Sequence, residues 1–152
     1  QLPMLKELMI KVISAHGQDH PFLTDLKRNV NELLIDLEQH LIKEEQVLFP
    51  YLTELSNFNK SGQSKTPAVN FIKKPIGMME TEHERAGEQL EQIRKISSDF
   101  LPPPSACSSY ILLYTELEAF EKDLHQHIFI ENSILFPKVI ALEMELTAPL
   151  PI

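Results

Sequence analysis

Two stretches of the chain pair an imidazole with a carboxylate at one spacing. His40-Leu-Ile-Lys-Glu44-Glu-Gln-Val-Leu-Phe-Pro50 returns as His127-Ile-Phe-Ile-Glu131-Asn-Ser-Ile-Leu-Phe-Pro137. Residues four apart on an α-helix lie one above the other on a single face. Each copy therefore presents a histidine and a glutamate side by side. Imidazole nitrogen and carboxylate oxygen together suit zinc, iron and manganese. Helices that each carry such a pair inward are how di-metal carboxylate sites are built in bundles.

A lone His-x-x-x-Glu on a helix means little, so the setting has to decide. Both pairs fall on otherwise apolar stripes. One runs Leu26, Val30, Leu33, Leu37, His40, Glu44, Leu48, and the other Leu113, Leu117, Phe120, Leu124, His127, Glu131, Ile134. A third stripe, Ile76, Met79, His83, Ala86, Leu90, Ile93, carries a histidine of its own. Steps of three and four mark the inward faces of bundle helices. Burying two carboxylates with neither partner nor metal is strongly unfavourable, and like charges so close would force one to take up a proton. A pair of divalent cations removes that conflict; a polar core network is the competing explanation.

The elements that must position these groups can be read in turn. A first helix is expected over Leu2–His16, with Leu5, Leu8, Met9, Val12 and Ile13 on its apolar side and Gly17 at the C′ position. Gln1 already falls inside the helical pattern, so this helix reads as truncated at its start. Asp19 and Pro21 open the second helix. Pro50 should kink or end it, although Tyr51–Leu55 could continue the pattern. A long loop is expected at about 56–74, because Gly62 and Pro67 sit in a polar stretch. The third helix begins near Pro75 and is stopped by Pro102-Pro103-Pro104; the fourth begins near Ser105. The tail from Leu146 is assigned no structure. The expected fold class is all-α, an up-down-up-down four-helix bundle, as one domain over residues 1–152.

The levels agree. His40 lies 19 residues beyond Pro21, His83 19 before Pro102 and His127 22 beyond Ser105, which places all three roughly 30 Å from one end at 1.5 Å per residue. His40, Glu44, His83, His127 and Glu131 are the candidate metal ligands. His16 and His20 sit at the far end, where His16 suits a helix C-terminus. His125 is off the inward face, and Glu45 should face solvent. Phe49-Pro50 and Phe136-Pro137 are expected to pack over the end of the site. Cys107 reads as a helix-start residue with nothing nearby to activate its thiol.

Composition narrows the function classes. The formal charge of −8, with pI near 5.2 and no basic cluster, argues against nucleic acid or an anionic membrane as partner. No apolar run reaches transmembrane length. The single cysteine precludes an internal disulfide and makes a reducing cytoplasm the default compartment.

Four segments carry a resemblance: Ala-His16-Gly-x-x-His20-Pro, His40-Leu-x-Lys-Glu44-Glu-x-x-Leu-Phe-Pro50, Met79-x-x-Glu82-His83 and His125-x-His127-x-x-x-Glu131-Asn-x-x-Leu-Phe-Pro137. Together they resemble the hemerythrin-type (HHE) cation-binding family, and within it the iron–sulfur cluster repair proteins. The resemblance implies two non-haem irons, bridged by Glu44 and Glu131, with His40, His83 and His127 as terminal ligands. Manganese or zinc would suit the same ligand types. It also implies damaged iron–sulfur proteins as clients in the bacterial cytoplasm after nitrosative or oxidative stress. The chemistry would be iron donation, or reaction with nitric oxide or peroxide at the di-iron site; a metal-binding repair protein is favoured over a turnover enzyme. The alternative is an oxygen- or nitric-oxide-binding or sensing module without turnover. Oxygen-carrying hemerythrins have a further histidine where this chain has Gly87, which favours the repair branch. The repair proteins supply another histidine from the first helix, at a level that falls at or just before Gln1.

Overall fold

The computed structural model describes residues 2–61 and 71–147 and is all-α, with no strand among the described residues. Helix α1 spans Leu2–His16 and α2 spans Phe22–Lys43; a π-helical turn over Glu44–Leu48 leads without a break into α3, Phe49–Ser61. Helix α4 covers Lys73–Ile96 and α5 covers Ser108–Ile130; a second π turn over Glu131–Leu135 leads into α6, Phe136–Thr147. Two helical runs of four therefore contain a π turn, and both turns begin at the glutamate of the repeated motif. No helix among the described residues is long and apolar enough to cross a membrane.

The expected kink or stop at Pro50 is replaced by continuation. A proline in a regular helix lacks the N–H and clashes with the carbonyl four residues back. Here the preceding turn is widened, with the Phe49 N–H donating to the Glu44 carbonyl and the Phe136 N–H to the Glu131 carbonyl, each five residues back. The wider turn is where the proline is accommodated, and such turns often mark functional sites. It also shifts the phase of the helical turns beyond it. Ile134, expected on the inward stripe, is exposed, while Leu135 and Phe136 turn towards the apolar cluster.

Other boundaries moved as well. Residues 56–61, expected to be loop, form the last turns of α3, because Tyr51, Leu52 and Leu55 commit the helix to an apolar cluster with Ile72, Ile76 and Val139. Of the rest of that expected loop, 62–70 lies outside the described residues, as do Gln1 and the tail beyond Thr147; 71–72 form a turn, and 73–74 already belong to α4. Helix α4 ends at Ile96, short of the proline run. Its end is a hydrogen-bonded reversal in which the Ser98 N–H reaches the Lys95 carbonyl and the Asp99 N–H the Arg94 carbonyl. Ser98, Asp99 and Phe100 all take positive φ, 52°, 58° and 58°, a conformation that costs about 1–2 kcal/mol per non-glycine residue. The Ser97 hydroxyl oxygen accepts the Phe100 N–H at 3.2 Å and the Arg94 guanidinium lies 4.8 Å from the Phe100 ring centre, which holds the reversal in place.

The described residues fall into two compact units. The first comprises the described parts of Gln1–Leu37 and Glu84–Gln126. Its core includes Leu5, Met9, Leu26, Leu33, Tyr110 and Leu117. Arg94 and Asp36 anchor its polar contacts, Arg94 to the buried Glu121 and Asp36 to Arg85 and Gln89. Most of the first-unit stripe residues are buried as expected, while Leu8, Ile13, Leu37 and Ala86 are half-buried. Gly17 directly follows α1, where a Cβ would lie 2.6 Å from the Ile13 carbonyl oxygen, so close approach is what requires glycine there.

The second unit comprises the described parts of Glu38–His83 and His127–Ile152. Its apolar cluster gathers Leu48, Leu55, Ile76, Met79, Phe136 and Val139. Inside it lies Glu143, fully buried, whose carboxylate accepts the Tyr51 hydroxyl at 2.5 Å and the Ile72 N–H at 3.1 Å. All five candidate ligands belong to this unit.

Candidate metal centre

Helix α2 brings His40 to its last turn, and the adjoining π turn starts at Glu44; α5 and the second π turn do the same for His127 and Glu131. Helix α4 supplies His83. His40, Glu44, His83 and Glu131 are buried, and the His127 side chain is about one-third exposed. One donor atom from each of His40, His83, His127 and Glu131 lies within 4.8 Å of the others. The His40 and His83 Nε2 atoms are 3.1 Å apart. Glu131 Oε2 lies 3.3 Å from His83 Nε2, 3.4 Å from His127 Nε2 and 3.9 Å from His40 Nε2. Glu44 Oε1 completes the set, 3.4 Å from His40 Nε2 and 3.6 Å from His127 Nε2. Three helical runs thus aim three imidazole nitrogens and two carboxylates at one point.

Two of the rings are held from behind. His40 Nδ1 is 2.9 Å from Glu82 Oε2, and Glu82 is also paired with Lys43. His83 Nδ1 is 2.8 Å from Asn132 Oδ1. An amide or carboxylate oxygen can only accept, so each Nδ1 carries a hydrogen and each Nε2 faces the cluster. Such partners fix the orientation of metal-binding histidines. Phe136 stacks on the outer face of His83 at 5.8 Å with planes 5° apart.

The charges respond to this crowding. Burial alone would lower the His40 pKa, but its contacts with Glu131, Glu44 and Glu82 push it up to about 10. His127 is raised, first by Glu44 and then, against burial, by the charge of Glu131. Burial would raise Glu131, yet His40 and His83 hold it well below the usual carboxylate range. Burial also opposes ionisation of Glu82, and Lys43 and His40 together outweigh it.

Does the cluster fit a metal? Glu44 Oε1, Glu131 Oε2 and His127 Nε2 are buried and have no hydrogen-bond partner. Polar atoms left so are costly, and each calls for an explanation. A cation among them would take up all three lone pairs, and mixed nitrogen and oxygen donors are what iron, manganese and zinc accept. The residues fit.

The remaining histidines stand apart. His125 is exposed, as is Glu45. His16 and His20 belong to the first unit, where their rings lie 5.3 and 5.9 Å from Tyr110. Sequence reasoning did not assign roles to Glu82 and Asn132. The available signal was adjacency: each flanks a candidate ligand directly, and Asn132 stands where the first copy of the motif has the exposed Glu45. Phe49 does not pack over the site as expected; it is 43% exposed where Phe136 is 1% exposed. Cys107 also departs from expectation. It caps α5 by accepting the Tyr110 and Ile111 N–H groups on its carbonyl. Its thiol is lowered to about 7, first by a hydrogen bond with His16 and then by the Tyr110 N–H.

Comparison with known proteins shows the family. The hemerythrin HHE cation-binding domain matches residues 2–139. A Yersinia pseudotuberculosis protein named iron-sulfur cluster repair protein YtfE is 35% identical over 140 residues, covering 92% of this chain and 58% of that protein. A Haemophilus influenzae protein named probable iron-sulfur cluster repair protein is 36% identical over 140 residues, 92% of this chain and 57% of its own length. The chain thus spans somewhat over half the length of these curated relatives. All-α in four helical runs among its described residues, with histidines and glutamates gathered as described, the chain belongs to the hemerythrin HHE cation-binding domain family and has its four-helix-bundle fold class.

Proposed function

We propose that His40, Glu44, His83, His127 and Glu131 hold two non-haem irons and that the protein serves, in the cytoplasm, in repair of iron–sulfur clusters damaged by nitrosative or oxidative stress. The observation that carries this reading is the set of buried, unpartnered donor atoms on Glu44, Glu131 and His127, facing the Nε2 atoms of His40 and His83. The names of the two relatives support the repair role.

Bound iron would supply an exchangeable metal stock and redox chemistry towards peroxide or nitric oxide. The protein's own part is positional. Glu82 and Asn132 set the tautomers of His40 and His83. Glu44 and Glu131 each lie near two or more imidazoles and bring the negative charge that a pair of cations requires. Phe136, stacked on His83, keeps one side of the cluster apolar. Binding metal requires His40, whose pKa is pushed up to about 10, to release a proton, so uptake is coupled to proton loss.

The test is transfer of labelled iron from the loaded protein to a cluster-deficient iron–sulfur hydratase. Stoichiometric recovery of hydratase activity, with matching iron loss from the donor, supports the reading. Catalytic consumption of nitric oxide or peroxide with no iron lost and no recovery would replace it with an enzymatic one.

A further inference from the structure

The three histidines of the cluster are not equivalent. His40 and His83 side chains are 5% and 4% exposed, whereas that of His127 is 33% exposed. His40 is held from behind by Glu82 and His83 by Asn132. No such anchor stands behind His127 among the described residues. Its Nε2, 3.4 Å from Glu131 and 3.6 Å from Glu44, makes no hydrogen bond to either. The rings differ too: His40 and His83 lie 4.7 Å apart, while His127 meets each edge-on at 6.2 and 6.1 Å. Its helix neighbours Phe129 and Ile130 are exposed.

We infer that His127 is the movable ligand of the site, the side chain that swings aside when metal enters or leaves, while His40 and His83 stay in place. The inference rests on the metal-binding reading above. Rotating His40 or His83 out would break a hydrogen bond from Nδ1 to a half-buried acceptor, Glu82 or Asn132, and empty a buried place in the packing. Rotating His127 breaks no hydrogen bond within the protein, and its edge already meets water. Metal exchange therefore passes over the α5 side of the cluster. That route would serve iron transfer to a client, because the client's ligands could replace the His127 nitrogen before the buried ligands let go.

Histidine-resolved carbethoxylation, read by mass spectrometry of peptides, tests this. In metal-free protein His127 should react at least about tenfold faster than His40 and His83, since those two must first open locally to be reached. In iron-loaded protein all three should be protected. During slow removal of iron by a chelator, His127 should become reactive first. Equal or faster labelling of His40 or His83 in either experiment overturns the inference. Failure of iron to protect any of the three would instead overturn the metal-binding reading on which it rests. Asn132→Leu supplies the control: freeing His83 from its anchor should raise His83 labelling towards that of His127, and an unchanged His83 rate would show that the anchor does not restrain it.

Discussion

The Phe136 ring lies parallel to the His83 imidazole, 5.8 Å away, although its counterpart in the repeated motif, Phe49, points to solvent. The two copies are alike in sequence and in their π turns, but only one closes over the site. Phe136→Ala should therefore cost about 3–5 kcal/mol by loss of a buried aromatic side chain, and Phe49→Ala well under about 1 kcal/mol as a surface change. Denaturant unfolding of the two metal-free variants would show the difference; equal losses would mean that the repeat is energetically symmetric.

Glu82 and Asn132 should matter to metal affinity without being ligands. Removing a partner that orients a metal-binding histidine commonly costs about 10–100-fold in affinity. Glu82→Ala and Asn132→Ala should show losses of that size in competition with a chelator, with helix content unchanged by circular dichroism. Glu45→Ala and His125→Ala, both on exposed positions, should bind metal as the parent does.

Glu143 should prove a stability residue. It is fully buried, and one of its oxygens takes both the Tyr51 hydroxyl and the Ile72 N–H. Glu143→Ala takes the acceptor from the Tyr51 hydroxyl and leaves the buried Ile72 N–H unpaired, at about 1–3 kcal/mol for that donor. The proposed metal ligands are untouched by the change, so metal stoichiometry should persist while the thermal midpoint falls. Loss of metal at unchanged stability would contradict this assignment.

Cys107 gives a pH signature independent of the metal. The thiolate is the nucleophile, and hydrogen bonding from His16 lowers this thiol to about 7. Alkylation by iodoacetamide should rise through pH 7, and in His16→Ala the rise should move to higher pH, towards the ordinary thiol range. An unchanged profile in His16→Ala would show that the helix N-terminus alone sets the thiol.

Much of this was legible in the sequence, for identifiable reasons. The His-x-x-x-Glu repeat, the stripes and the level count brought His40, Glu44, His83, His127 and Glu131 together, because each rests on helical period and rise. What period cannot register is a residue inserted into the helix. The π turns after Glu44 and Glu131 carried the chain through Pro50 and Pro137 and turned Ile134 outward, where uniform periodicity had it buried. Polarity misled at Ser56–Ser61, since the buried Tyr51 and Leu55 decide the helix and its last turns are carried along. The end of α4 before the prolines depends on a left-handed reversal built from Ser98, Asp99 and Phe100 without glycine, which carries no sequence signal. Glu82, Asn132 and Cys107 acquired their roles from residues distant in the chain.

The decisive measurement is iron content with a visible absorption spectrum, on the parent and on Glu44→Ala, Glu131→Ala and the double variant. The parent should hold about two irons per chain, as a di-metal carboxylate site requires, and the double variant should lose both iron and absorption. Iron binding that survives removal of both carboxylates, or no iron bound by the parent at all, would contradict a di-iron centre at these residues.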